Sequence, residues 1–140
     1  MLRRITSTYK TWATVPIRIA LGMIFIAHGA QKVFGAFGGS GLGKFIATAA
    51  PLGLWPSWFW MGSAAFAELI GGVLVLLGLF TRIGAAAICA VMIVVIAGIH
   101  WGNFFVQDRG MEFPFAMLCM AIMLLYTGGG KLSVDANLRL

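Results

Sequence analysis

Residues 57 to 82, SWFWMGSAAFAELIGGVLVLLGLFTR, decide the fold. They carry one carboxylate, Glu68, near the middle of an otherwise uncharged apolar run from Trp58 to Phe80. As a helix rising ~1.5 Å per residue, that run is long enough to cross the ~30 Å hydrocarbon core of a bilayer. An ionised carboxylate exposed to lipid there costs at least ~2.5 kcal/mol, so Glu68 must face the inside of a helix bundle with a partner, or stay protonated. The rest of the chain has to supply that bundle. Helical spacing puts Ala64 and Gly72 on the side of Glu68, where small residues let another backbone come close. The alternative is that Glu68 is a polar peg that only fixes helix packing.

Composition agrees with a membrane setting. Of 140 residues, 61% are hydrophobic and 10% charged, and a mean hydropathy of +0.97 is too high for a soluble domain of this size. One integral membrane domain over residues 1–140 is expected. The net charge of +6 does not form a basic patch interleaved with aromatics, so no nucleic-acid partner is expected. The basic residues sit at the ends of apolar runs instead: Arg3, Arg4, Lys10, Arg82, Lys131 and Arg139 on one side, Lys44 and Arg109 on the other. This asymmetry places both termini in the cytoplasm. Cys89 and Cys119 lie inside apolar runs without metal-finger or C-x-x-C spacing, and read as small buried hydrophobes.

The runs divide into four spans, at about residues 15–34, 58–80, 83–100 and 110–127. The first has a basic lead-in and an apolar Ile17 to Ala27 like a signal peptide, although Ala27-His28-Gly29 is a poor cleavage site. Arg18, Leu21, Phe25, His28 and Lys32 fall on one stripe that should face the bundle, with Arg18 either joining it or snorkelling to the inner interface. A Gly38-Gly39-Ser40-Gly41 tract and a short interfacial helix within Leu42 to Ala50 connect spans one and two, and Trp55, Trp58 and Trp60 suit an aromatic belt. Gly78 to Arg82 makes a tight inner turn. The fourth span is short in its apolar part, Phe113 to Tyr126, and needs a start near Arg109 with local thinning of the bilayer. The predicted class is therefore all-α: a polytopic membrane protein, a four-transmembrane-helix bundle with a short interfacial helix between helices 1 and 2.

With four antiparallel spans, His28, Gln31, Lys32, Glu68, His100 and Glu112 all fall in the outer half of the bundle. A cation beside a carboxylate, with imidazoles nearby, suits hydrogen bonding to the carbonyls of a quinone and moving protons on its reduction. His28, Glu68, His100 and Glu112 are also a sensible set for a transition metal, but the Glu-x-x-His spacing of carboxylate-bridged metal bundles is absent, and no metal site is assigned. His100 beside Trp101 also reads as an interfacial histidine, and Asp108-Arg109 as a solvated loop pair. No glycine run has the Lys-Ser/Thr ending of a phosphate loop.

His28-Gly29-Ala30-Gln31-Lys32, Glu68-Leu69-Ile70-Gly71-Gly72 running into Leu77-Gly78-Leu79-Phe80-Thr81-Arg82, and Gly128-Gly129-Gly130-Lys131-Leu132-Ser133-Val134-Asp135 together resemble the DoxX family of small four-helix membrane proteins. The resemblance spans nearly the whole chain and departs at Gly129, where a proline is common. It implies a quinone-linked role at the bacterial inner membrane and, with no soluble domain in the chain, a partner subunit. The leading expectation is a subunit that binds quinone at His28, Gln31, Lys32, Glu68, His100 and Glu112 and links a partner oxidoreductase to the quinone pool. His28 would contact the headgroup, and Glu68 would hold a proton. The alternatives are a noncatalytic scaffold or accessory subunit of a larger membrane complex, and a small metal- or solute-handling protein.

Overall fold

In the computed structural model, which describes residues 6–138, every regular element is helical. The elements are α1 (Thr14–Val33), α2 (Gly41–Ile46), α3 (Ser57–Leu77), α4 (Thr81–Gly98), α5 (Glu112–Thr127) and α6 (Val134–Asn137), with 3-10 turns at Ala36–Gly38, Pro51–Gly53 and Val106–Asp108. Helices α1, α3 and α4 are long and apolar enough to cross a membrane, and α5 is a shorter apolar helix of 16 residues. In sequence order α1 packs on α3, α3 on α4 and α4 on α5, while α1 also touches α5. Leu21, Phe25, Val75, Ile88, Met117 and Leu124 are buried between them. Ile19, Met23, Ile70, Val73, Ile93 and Ile122 point outward and are exposed, as an apolar solvent permits.

The helix limits follow local caps more closely than hydropathy. Helix α3 stops at Leu77, short of the expected residue 80, because Gly78 turns left-handed at φ +68°. The Leu79 N–H then bonds the Leu74 carbonyl at 3.0 Å and the Gly78 N–H bonds that of Val75 at 3.1 Å. This double closure is the glycine-terminated helix end that satisfies orphan carbonyls. The apolar residues that follow belong to a turn. Helix α2 is shorter than its candidate segment, since the Thr48 hydroxyl donates to the Phe45 carbonyl at 2.7 Å and ends it. Helix α5 begins at Glu112 because Arg109 and Gly110 donate back to the carbonyls of Val106 and Phe105 in a loop of their own.

The α1–α3 seam depends on absent side chains. A Cβ on Gly72 would sit 2.7 Å from the backbone nitrogen of Ile26, a contact that neither helix can relieve without moving. Gly72 and Glu68 are both buried, as the spacing around Glu68 requires, whereas Ala64 faces a cavity.

At the end where the segments around residues 6–14, 78–82 and 128–138 gather, the chain ties itself together through two buried charged residues. Arg18 is 4% exposed, and its guanidinium donates to the carbonyls of Val75 (3.0 Å), Leu76 (2.8 Å), Gly129 (2.9 Å) and Leu132 (2.6 Å). Arg18 thus does not snorkel. It bonds the last carbonyls of α3, that of Leu76 and, beside the Gly78 N–H, that of Val75, and ties them to the glycine turn after α5. Asp135, also 4% exposed, accepts the N–H groups of Phe80 at 2.8 Å and Thr81 at 2.9 Å, and the Thr81 hydroxyl at 2.8 Å. It caps α4 from a distant part of the chain, placing a negative charge at a helix N-terminus. The same contacts hold Phe80 at φ +45°, a conformation uncommon for a bulky residue.

Lys10, Arg82 and Lys131 lie at this end, Lys44 and Arg109 at the opposite one; Arg3, Arg4 and Arg139 lie outside the described residues. The opposite end, which carries the longer connections, exposes Trp55, Trp58, Trp60 and Trp101.

Candidate functional site

One turn apart on α1, His28 and Lys32 continue the stripe that buries Leu21 and Phe25. Lys32 occupies the last turn, and its stem reaches over to α3 so that Nζ donates to both carboxylate oxygens of Glu68. The Glu68 side chain is 3% exposed and that of Lys32 24%. The Phe45 ring of α2 lies 5.2 Å from the same Nζ, a cation–π distance. Among the described residues, Lys32 is the only hydrogen-bonding partner of Glu68. The carboxylate thus keeps lone pairs that the protein leaves unused.

The ion pair, with Val95 and Ile99, lines both of two adjacent cavities and forms part of the wall they share. The larger, about 400 Å³, lies between α3 and α4 beneath the α1–α3 connection. Its sides are small or apolar, with Ala64, Ala67, Ala87 and Ala90 prominent, and Phe45, Pro51 and Leu54 cover it. The smaller, about 250 Å³, lies between α1, α4 and α5, where His28, His100, Met92 and Met117 line it. Lys32 and Glu68 line both.

His28, Lys32, Glu68 and His100 are therefore brought together around one cavity. His28 is exposed and makes no hydrogen bond among the described residues, so its ring is available. His100 is half-buried, and its Nδ1 donates to the Arg109 carbonyl, which can only accept. In the neutral ring this leaves Nε2 as an acceptor. Gln31 and Glu112 stand apart. Gln31 lines neither cavity, and its backbone packs against Gly39 of the connection. Glu112 is exposed and accepts the Val106 N–H at 3.0 Å, which braces the α4–α5 loop. Cys89 and Cys119 are both free, and among the described residues no three of His, Cys, Asp and Glu converge as metal ligands.

Sequence reading missed Phe45 and the alanine-walled cavity. The signal was present in the small residues at helical spacing on α3 (Ala64, Ala67) and α4 (Ala87, Ala90), which leave volume beside Glu68 unfilled.

Fold and site together define a helical membrane protein with a buried lysine–glutamate pair set between two cavities. The DoxX family profile matches residues 13–101, from the start of α1 to just beyond α4. A protein of Bacillus subtilis (strain 168) named "Putative oxidoreductase CatD" is 32% identical over 128 residues, covering 87% of this chain and 84% of that one. No solved structure matches the chain significantly. The chain belongs to the DoxX family.

Proposed function

We propose that this protein is a membrane subunit that binds a quinone beside Lys32 and Glu68 and links a partner oxidoreductase to the quinone pool of a bacterial inner membrane. In this reading α1, α3, α4 and α5 form a four-helix transmembrane bundle. The termini are cytoplasmic, α2 lies at the outer interface, and the site occupies the outer half. The excess of basic residues flanking the terminal side supports that orientation.

The observation that carries the reading is the Lys32–Glu68 pair itself. It is buried deeply enough to be costly, yet it borders open volume on two sides. An ammonium has three N–H donors, of which Glu68 engages two, so one remains for a ligand carbonyl. Glu68 balances the lysine charge and offers an acceptor, and His28 faces the smaller of the two volumes. A quinone bound there would take up two electrons from the partner and two protons. The relative's name as an oxidoreductase points the same way.

Glu68→Gln tests the reading, because it preserves shape while removing the charge. It should leave the protein folded but abolish quinone-dependent activity with the partner and photoaffinity labelling by a quinone analogue. Unchanged labelling in both Glu68→Gln and His28→Ala would instead assign the pair to packing and the protein to a scaffold role.

A further inference from the structure

The two cavities differ in what they can admit. The smaller is lined by two imidazoles and lies towards the connection end. Apart from Ser63 and Trp60, whose indole N–H is spent on the Trp55 carbonyl, the larger has polar side chains only where Lys32 and Glu68 close it. Its volume of about 400 Å³ falls within the ~300–1,000 Å³ usual for small-molecule sites. A solute needing several hydrogen bonds would find none along the alanine and valine walls, so the walls select a molecule with one polar end and an apolar remainder.

The cavity has exposed lining on its α3–α4 side. Trp60, Ser63 and Ala90 on its rim are exposed, and they lie on α3 and α4, two helices of membrane-crossing length. Phe45, Pro51 and Leu54 of the α1–α3 connection line it as a cover. That cover is pinned to α4, where a Cβ on Gly98 would come within 2.6 Å of the Pro51 Cβ.

We infer that the larger cavity is a lateral chamber that receives an isoprenoid quinone directly from the bilayer, between α3 and α4, with its ring directed at Lys32 and Glu68. The absence of larger side chains at Ala87 and Ala90 sets the width of molecule admitted. This rests on the quinone reading and specifies how the ligand reaches the pair. The His28–His100 cavity, on the other side of the wall, is left for water and protons.

The experiment uses the full chain in lipid nanodiscs with a photoreactive short-chain ubiquinone analogue, and maps the labelled peptides. Wild-type label should fall on the α3 and α4 segments lining the chamber and on the peptide containing Phe45. Ala90→Trp, which fills the chamber from an exposed position, should weaken probe binding by at least about tenfold and remove the probe's protection against thermal unfolding. Ala86→Trp, exposed on the same helix but outside the chamber, should behave as wild type. Thermal unfolding without probe checks that each variant is folded, and Ala90→Leu serves as the milder variant. Label confined to the α1 and α5 segments, with Ala90→Trp binding as well as Ala86→Trp, would overturn the lateral chamber while leaving the quinone reading intact. No saturable labelling or protection in the wild type would overturn both.

Discussion

Each end of this molecule buries a cation and a carboxylate, and the two ends use them in opposite ways. At the terminal end, Arg18 and Asp135 direct their hydrogen bonds chiefly at backbone groups, which locks the α3–α4 turn, the glycine turn after α5 and the tail into one unit. At the connection end, Lys32 and Glu68 bond to each other and border empty volume. A buried charge whose partners are fixed backbone atoms serves as scaffold. One whose partner is a flexible, part-exposed side chain beside a cavity can change partners when a ligand arrives. The comparison teaches that burial of charge alone does not mark a functional site; unused bonding capacity next to unfilled space does.

Removing the arginine should break the scaffold end outright. Arg18→Ala would leave the Leu76 and Leu132 carbonyls without the donor they have and take one of two donors from those of Val75 and Gly129, at ~1–3 kcal/mol for each buried group left unpaired, so folded protein should fail to accumulate in membranes. If Arg18→Ala instead yields normal amounts of thermostable protein, the two ends are not different in kind. Gly72→Leu attacks the seam that joins the ends and should also lower the folded yield sharply, because overpacking costs ~1–3 kcal/mol or more where backbones touch. Val73→Leu, one residue along on an exposed face, is its control and should be silent. Asp135→Asn retains an acceptor but loses the negative charge at the start of α4. A loss of ~0.5–2 kcal/mol, read as a lowered midpoint in thermal unfolding, is expected. Glu68→Gln should have the smallest effect on unfolding of the four, although it removes quinone labelling. A stability loss as large as that of Arg18→Ala would make Glu68 a second scaffold residue.

The placement of the apolar helices was legible because apolar runs must match a bilayer's thickness: α1, α3, α4 and the shorter α5 each lie within a few residues of an expected span. The pairing of Lys32 with Glu68 was legible for a related reason: two charges interrupting apolar runs at similar depth need each other. Depth can be read from position along a helix, but direction around the bundle cannot. Gln31 precedes Lys32 by one residue and so points about 100° away from it, onto the connection. Glu112 has the right depth but is the first residue of α5, where its carboxylate turns back to the loop. Asp135 closed the Gly128–Asp135 motif in the sequence but was given no role, since a carboxylate in a polar tail looks solvated until the fold brings the α3–α4 turn to it. The larger cavity was hidden for the opposite reason, because it consists of side chains that are missing.

The cap on α4 also has a consequence in time. Asp135 lies 54 residues beyond Thr81, the helix start it holds. At ~5–20 residues per second, a ribosome delivers that carboxylate roughly 3–11 s after Thr81 has been made. During this interval α3 and α4 can already be threaded into the bilayer, yet the turn between them lacks its acceptor and Phe80 has no fixed partner for its N–H. The hairpin that walls the larger cavity is therefore provisional during synthesis and is fastened only when the end of the chain folds back beneath it.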